Sequence, residues 1–154
     1  MPRSHKPAVQ RSLPFTGLGE WIAIVDDDAS VRTSLARLLR SEGILVETFG
    51  TGPEFLTANA IEPPACLILD VHLGSMSGFE IQEEMALTHP HVPIIFITAH
   101  DEISSAELTR RAGANGFLRK PFDGEALLAL VHRRIRAAVT KTRSARRSVP
   151  GAAG

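Results

Sequence analysis

Five times between Trp21 and Ile135, a short strand-like run rich in apolar residues gives way to a stretch with helical spacing of its apolar residues. The runs are 21–25, 44–49, 66–69, 94–98 and 116–118, and an uninterrupted apolar strand is one covered on both faces. After the first run Val31, Leu35, Leu38 and Leu39 fall at i, i+4, i+7 and i+8, which predicts a helix ending near Gly43. Thr51 and Glu54 have capping-box spacing at the start of a second helix. Phe79, Ile81 and Met85 mark a third after Gly78, a more polar fourth lies around Ile103 to Arg111, and Asp123 can cap a fifth carrying Leu127, Leu128, Val131 and Ile135. Repeated strand–helix units with right-handed crossovers predict an α/β fold, a doubly wound parallel sheet of five strands flanked by five helices. In such folds ligands sit outside the carboxyl ends of the strands, where strand order reverses.

The strand ends carry the chemistry. They supply Asp26-Asp27-Asp28, nothing reactive after the second strand, Asp70, Thr98 and, just past the fifth strand, Lys120-Pro121. A nucleotide-binding fold would place a glycine-rich turn after the first strand; this turn offers carboxylates. Two carboxylates about 5 Å apart repel by roughly 3 kcal/mol at an effective dielectric near 20, so the cluster invites a cation or a proton. Hard oxygen donors of this kind suit Mg²⁺. A carboxylate beside Mg²⁺ is a nucleophile toward phosphorus, and Asp70, alone at its strand end, is the best placed. Lys120 and the metal would then neutralise phosphoryl oxygens, and the Thr98 hydroxyl would meet one of them.

Composition sets the surroundings. The 154 residues suffice for one domain of ordinary size, no apolar stretch reaches the ~20 residues of a membrane span, and a cytoplasmic protein is expected. Cys66 is the single cysteine, so neither an internal disulfide nor a cysteine-based cluster can form. The net charge of zero divides unevenly. Residues 20–135 hold all 17 acids and nine of the 17 Lys and Arg, a net of 9 − 17 = −8, offset by +8 at the two ends. Residues 1–19, with three prolines, read as a flexible basic lead-in; residues 140–154 read as a flexible basic tail. The folded domain is expected over 20–139.

The blocks IAIVDDDASVRTSL, LILDVHLGSMSGF, IIFITAH and GANGFLRKPF resemble the four signature blocks of the bacterial two-component response-regulator receiver domain, in the style of single-domain chemotaxis regulators. The resemblance covers about 20 to 138 and implies a flavodoxin-like (βα)5 fold. It implies that Asp70 is the phosphoacceptor, that Asp27 ligates Mg²⁺ (or Mn²⁺) directly and Asp26 through water, and that Asp70 and the main-chain carbonyl of His72 complete the protein ligands. Thr98, Lys120 and the aromatic Phe117 become the phosphate-binding and switch residues, and the Lys120-Pro121 bond is a candidate cis peptide. Asp28 matches a variable position and is expected to cap the first helix. Gly74 departs from the family, which usually has proline there, and a looser loop is expected.

The implied function is a phosphorelay switch. A sensor histidine kinase or histidine phosphotransfer protein would donate the phosphoryl group, and the surface of the fourth helix, fifth strand and fifth helix would then act on a partner or a homodimer. No enzyme activity is expected beyond self-phosphorylation and autodephosphorylation, no specific DNA binding and no membrane association. Fifteen residues after Val139 are too few for a further domain, so output by contact is expected. Two other readings stand beside this one. A haloacid-dehalogenase-type aspartyl-phosphate phosphatase would want a second aspartate where His72 stands, and a degenerate receiver serving as a scaffold would not need Asp27, Asp70, Thr98 and Lys120 together. His72 and His100 sit near the site in sequence, and neither is assigned a catalytic role.

Overall fold

The computed structural model describes residues 21–99, 101 and 103–148, with side chains described through Arg136. The lead-in 1–19 and His100 lie outside the described residues. Five parallel strands form one sheet: β1 (Trp21–Val25), β2 (Leu45–Phe49), β3 (Cys66–Asp70), β4 (Ile94–Thr98) and β5 (Phe117–Arg119). Their order is β2-β1-β3-β4-β5, and every neighbouring pair runs parallel. Five helices alternate with them: α1 (Ala29–Arg40), α2 (Gly52–Ile61), α3 (Gly78–Thr88), α4 (Ser105–Ala112) and α5 (Gly124–Ser148). The doubly wound α/β sandwich expected from the strand–helix alternation is thus the fold.

Alternation along each central strand sends successive side chains to opposite layers, which is why these strands read as continuous apolar runs. Trp21, Ala23, Val25, Leu67, Leu69 and Phe96 pack in one layer with Phe55, Ile81, Met85 and Leu108 from α2, α3 and α4. Ile22, Ile24, Ile68, Ile95 and Ile97 pack in the other with Leu35 and Leu39 of α1 and Leu127 and Val131 of α5. Burial of a large aliphatic or aromatic side chain contributes about 1.5–3 kcal/mol, so these two layers supply most of the force that holds the strand ends in place.

Helix starts follow the sequence signals with two differences. The Thr51 side chain accepts from the Glu54 N–H at 3.2 Å, but Glu54 Oε1 takes the N–H of Gly50, one residue before the position a capping box uses. A complete capping box forms instead at α3, between Ser77 and Glu80. At the other end of the chain α5 continues to Ser148, so residues 140–148, expected within a flexible tail, are helical. No interrupting proline or glycine occurs between Glu125 and Ser148, and nothing local ends the helix at 139.

The order reverses between β1 and β3: the chain leaves β1 toward the β2 edge and returns to place β3 on the opposite side. The crevice outside the carboxyl ends of those two strands is therefore the expected binding position. Asp26 follows β1 directly and Asp70 ends β3.

Candidate functional site

The acids at the head of the sheet are held by backbone. The Asp26 N–H donates to the Phe49 carbonyl at 3.1 Å, extending the β1–β2 ladder by one residue and drawing this aspartate fully into the interior. Its Oδ1 accepts the Asp28 N–H at 2.9 Å, and its Oδ2 accepts from Lys120 Nζ at 2.7 Å. Asp27, next in sequence, turns outward and is exposed. Asp28 is the N-cap of α1, accepting from Ser30 N at 2.9 Å and from Val31 N at 3.4 Å. The Ser30 hydroxyl is the largest of the hydrogen bonds that hold the Asp28 carboxyl below the usual carboxylate range. The three consecutive acids thus have three different positions: buried and ion-paired, open to solvent, and capping.

Asp70 ends β3 and is only 4% exposed. Its Oδ1 accepts the His72 N–H at 3.3 Å, and its Oδ2 lies 3.4 Å from Lys120 Nζ. Asp26, Asp27 and Asp70 each bring a carboxylate oxygen within 4.8 Å of the other two. Burial, and after it the negative charge of Asp26, pushes the Asp70 carboxyl up to about 6, with Lys120 acting in the opposite direction. Burial also pulls the Lys120 ammonium down, but its hydrogen bond to Asp26 and the charges of Asp70 and Asp26 outweigh that, leaving its pKa raised. A crowded acid set with one ammonium among three carboxylates is under-neutralised, and three hard oxygen donors at this spacing fit a small divalent cation.

Lys120 is positioned by β4. Its backbone N–H donates to the Thr98 carbonyl at 2.8 Å, so the residue after the last strand is fastened to the end of its neighbour. The Lys120–Pro121 peptide bond is cis. Thr98 is fully buried at the end of β4, in register with Arg119. Phe117 pairs in register with Phe96 on β4 and is half-buried against the layer that contains α4. Its position serves packing and leaves it beside the strand that carries Thr98.

Two features were not legible from the sequence pattern. His72–Leu73 and Met76–Ser77 pair as a short antiparallel hairpin, with Gly74 at its turn and φ +77°. Proline, fixed near −65°, cannot adopt that backbone, so glycine is what this paired turn requires. The second is Gly78, whose N–H donates to the Val71 carbonyl at 2.7 Å. A Cβ there would fall 2.4 Å from the Asp70 carbonyl oxygen, so the start of α3 lies directly on the phosphoacceptor candidate's own backbone. A glycine inside a capping box was the available sign of such an approach.

A family model for the response regulator receiver domain matches residues 22–132. The chain belongs to the response regulator receiver domain family. Over 110 residues it is 42% identical to Nodulation protein W of Bradyrhizobium diazoefficiens, covering 71% of this chain and 48% of that protein. Over 112 residues it is 38% identical to the DNA-binding transcriptional regulator NtrC of Escherichia coli, covering 73% of this chain and 24% of that protein. The chain therefore spans about half or less of the length of these curated relatives. Among solved structures, the response regulator receiver protein of Burkholderia phymatum superposes with a TM-score of 0.66 at 41% identity, over 75% of this chain and 94% of that one. The receiver domain of NtrX from Brucella abortus superposes with a TM-score of 0.68 at 29% identity, over 75% of this chain and 98% of that one. As a receiver domain the chain is a signalling module of two-component systems, and among the described residues no helix is long and apolar enough to cross a membrane.

Proposed function

We propose that residues 20–139 form a phosphorylation switch in which Asp70 takes a phosphoryl group from the phosphohistidine of a sensor kinase or a phosphotransfer protein. The observation that carries this reading is the convergence of Asp26, Asp27 and Asp70 within 4.8 Å, with Lys120 Nζ 3.4 Å from Asp70. An Asp70 carboxylate oxygen attacks phosphorus, the P–N bond of the donor breaks, and the imidazole leaves with its electron pair and takes up a proton. The product is an acyl phosphate. Asp27 and Asp70 directly, Asp26 through water and the His72 carbonyl would hold Mg²⁺ (or Mn²⁺), which supplies positive charge to the phosphoryl oxygens when bound.

The chain's own residues do the rest. Lys120 already lies between Asp26 and Asp70 and offers its ammonium to a phosphoryl oxygen. Thr98 ends the strand next to β3 and offers its hydroxyl to another. Because Lys120 is hydrogen-bonded to the Thr98 backbone and β5 is in register with β4, a shift at Thr98 reaches Phe117 and the α4–β5–α5 surface. Output through that surface, to a partner or a second copy, follows from this coupling. Incubation with a small-molecule phosphodonor and Mg²⁺ should add one phosphate to the intact mass of the wild type and none to Asp70→Asn. Equal labelling of both proteins would overturn the reading.

A further inference from the structure

Helix α1, ASVRTSLARLLR, carries Arg32, Arg37 and Arg40 and no acid, within a segment of net charge −8. Basic residues in a last helical turn complement the helix dipole, which accounts for Arg37 and Arg40. It does not account for Arg32, which stands in the first turn, where a cation is disfavoured. All three line one groove of about 420 Å³ between α1 and the sheet-edge strand β2, together with Ala29, Thr33, Ala36 and Thr48. No carboxylate lines it: Glu47, the acid nearest on β2, is adjacent to Val46 and Thr48 and alternates to the other face of the sheet.

Two of the arginines are fixed in advance. Arg32 Nη1 donates to the Asp26 carbonyl at 2.7 Å, and its guanidinium lies over Gly50, where a Cβ would come within 3.1 Å of it. Arg40 Nη2 donates to the Val46 carbonyl at 2.8 Å. Each contact uses one of the five N–H donors of a guanidinium and leaves the others for a ligand. Arg37 is exposed and makes no ion pair with an acid among the described residues. Guanidinium forks bind phosphate in bidentate fashion, and small alanines at the floor leave space that larger residues would fill.

We propose that this groove is a binding site for a soluble small molecule carrying two or more linked phosphate groups. Three cations spread over nine positions of one helix match linked phosphates better than a single one, and the volume lies in the range of small-ligand pockets. The site adjoins the acid cluster through the Asp26 backbone, but none of that cluster's carboxylates lines it, and it does not depend on phosphoryl transfer at Asp70.

The test is calorimetric titration of the full chain with inorganic pyrophosphate and with ADP, in EDTA so that no divalent metal can carry phosphate to the acids. Saturable one-to-one binding is expected, at least tenfold tighter than for orthophosphate. Arg37→Gln and Arg40→Gln should each weaken it at least tenfold while the circular dichroism spectrum stays that of the wild type, and Asp70→Asn should leave it unchanged. Four results would overturn the proposal: no saturable binding of either probe, affinity unaltered in Arg37→Gln, loss in Asp70→Asn, or binding of acidic peptides without binding of pyrophosphate. The second would move the ligand to the basic residues beyond α1.

Discussion

Removing the Asp70 charge should stabilise the metal-free protein above neutral pH. The carboxyl is raised from its ordinary 3.8 to about 6, first by burial and then by Asp26. A group whose folded pKa lies above its unfolded value holds its proton longer in the folded state, so its contribution is favourable at low pH and is lost as pH rises from about 4 through about 6. The full step corresponds to about 3 kcal/mol at 25 °C, a ceiling reached above pH ~7. Asparagine keeps an oxygen for the His72 N–H and never ionises. In EDTA, urea unfolding of Asp70→Asn should therefore match the wild type near pH 4 and exceed it by 1–3 kcal/mol near pH 7.5. Millimolar Mg²⁺ should close most of that gap by stabilising the wild type, because a bound cation favours the carboxylate form. A pH-independent difference, or a wild type more stable than Asp70→Asn at pH 7.5 in EDTA, would refute the electrostatic reasoning.

Other consequences follow from particular contacts. Lys120→Met removes the ammonium paired with a fully buried Asp26 and should destabilise the protein by about 3 kcal/mol or more near neutral pH in EDTA, measured by the same unfolding assay, with partial recovery on adding Mg²⁺. Gly78→Ala forces a Cβ to within 2.4 Å of the Asp70 carbonyl and should cost about 1–3 kcal/mol together with a measurable loss of Mg²⁺ affinity; an unchanged affinity would mean that the end of β3 does not move. Gly74→Pro, which installs the residue usual in the family, should destabilise the protein because φ is +77° here, whereas Gly74→Ala, with nothing within 4 Å, should lose only about 1 kcal/mol. Thr51→Ala should lower stability by about 1 kcal/mol through the lost α2 cap, read from thermal melts.

The sheet could be read from the sequence because its central strands are covered on both faces: Trp21–Val25 and Ile94–Thr98 have no polar residue before their ends, and all five positions of each are buried. The acids were legible for the same reason, since Asp26 and Asp70 interrupt or end apolar runs where the topology places ligands. Their different burdens were not. Asp26 and Asp27 are adjacent letters, yet one is buried against Lys120 and the other is exposed, a distinction set by the Asp26–Phe49 backbone hydrogen bond. The hairpin at Gly74 escaped notice because each of its strands is two residues long, too short for any periodicity. The extent of α5 was not legible because the sequence of its last turns lacks apolar spacing. Arg32 carried no local signal, since its contact lies with a carbonyl six residues earlier across the β1–α1 turn.

The central claim is that Asp70, and not either of its acidic neighbours, receives the phosphoryl group. Its most direct test is to phosphorylate the chain with a small donor and Mg²⁺, reduce the acyl phosphate with borohydride, and sequence the peptides by mass spectrometry. Reduction turns a phosphorylated aspartate into homoserine and leaves a free carboxylate untouched. Homoserine at position 70 alone is the expected result. Homoserine at 26 or 27, or an unmodified Asp70 in protein that has taken up phosphate, would contradict the account.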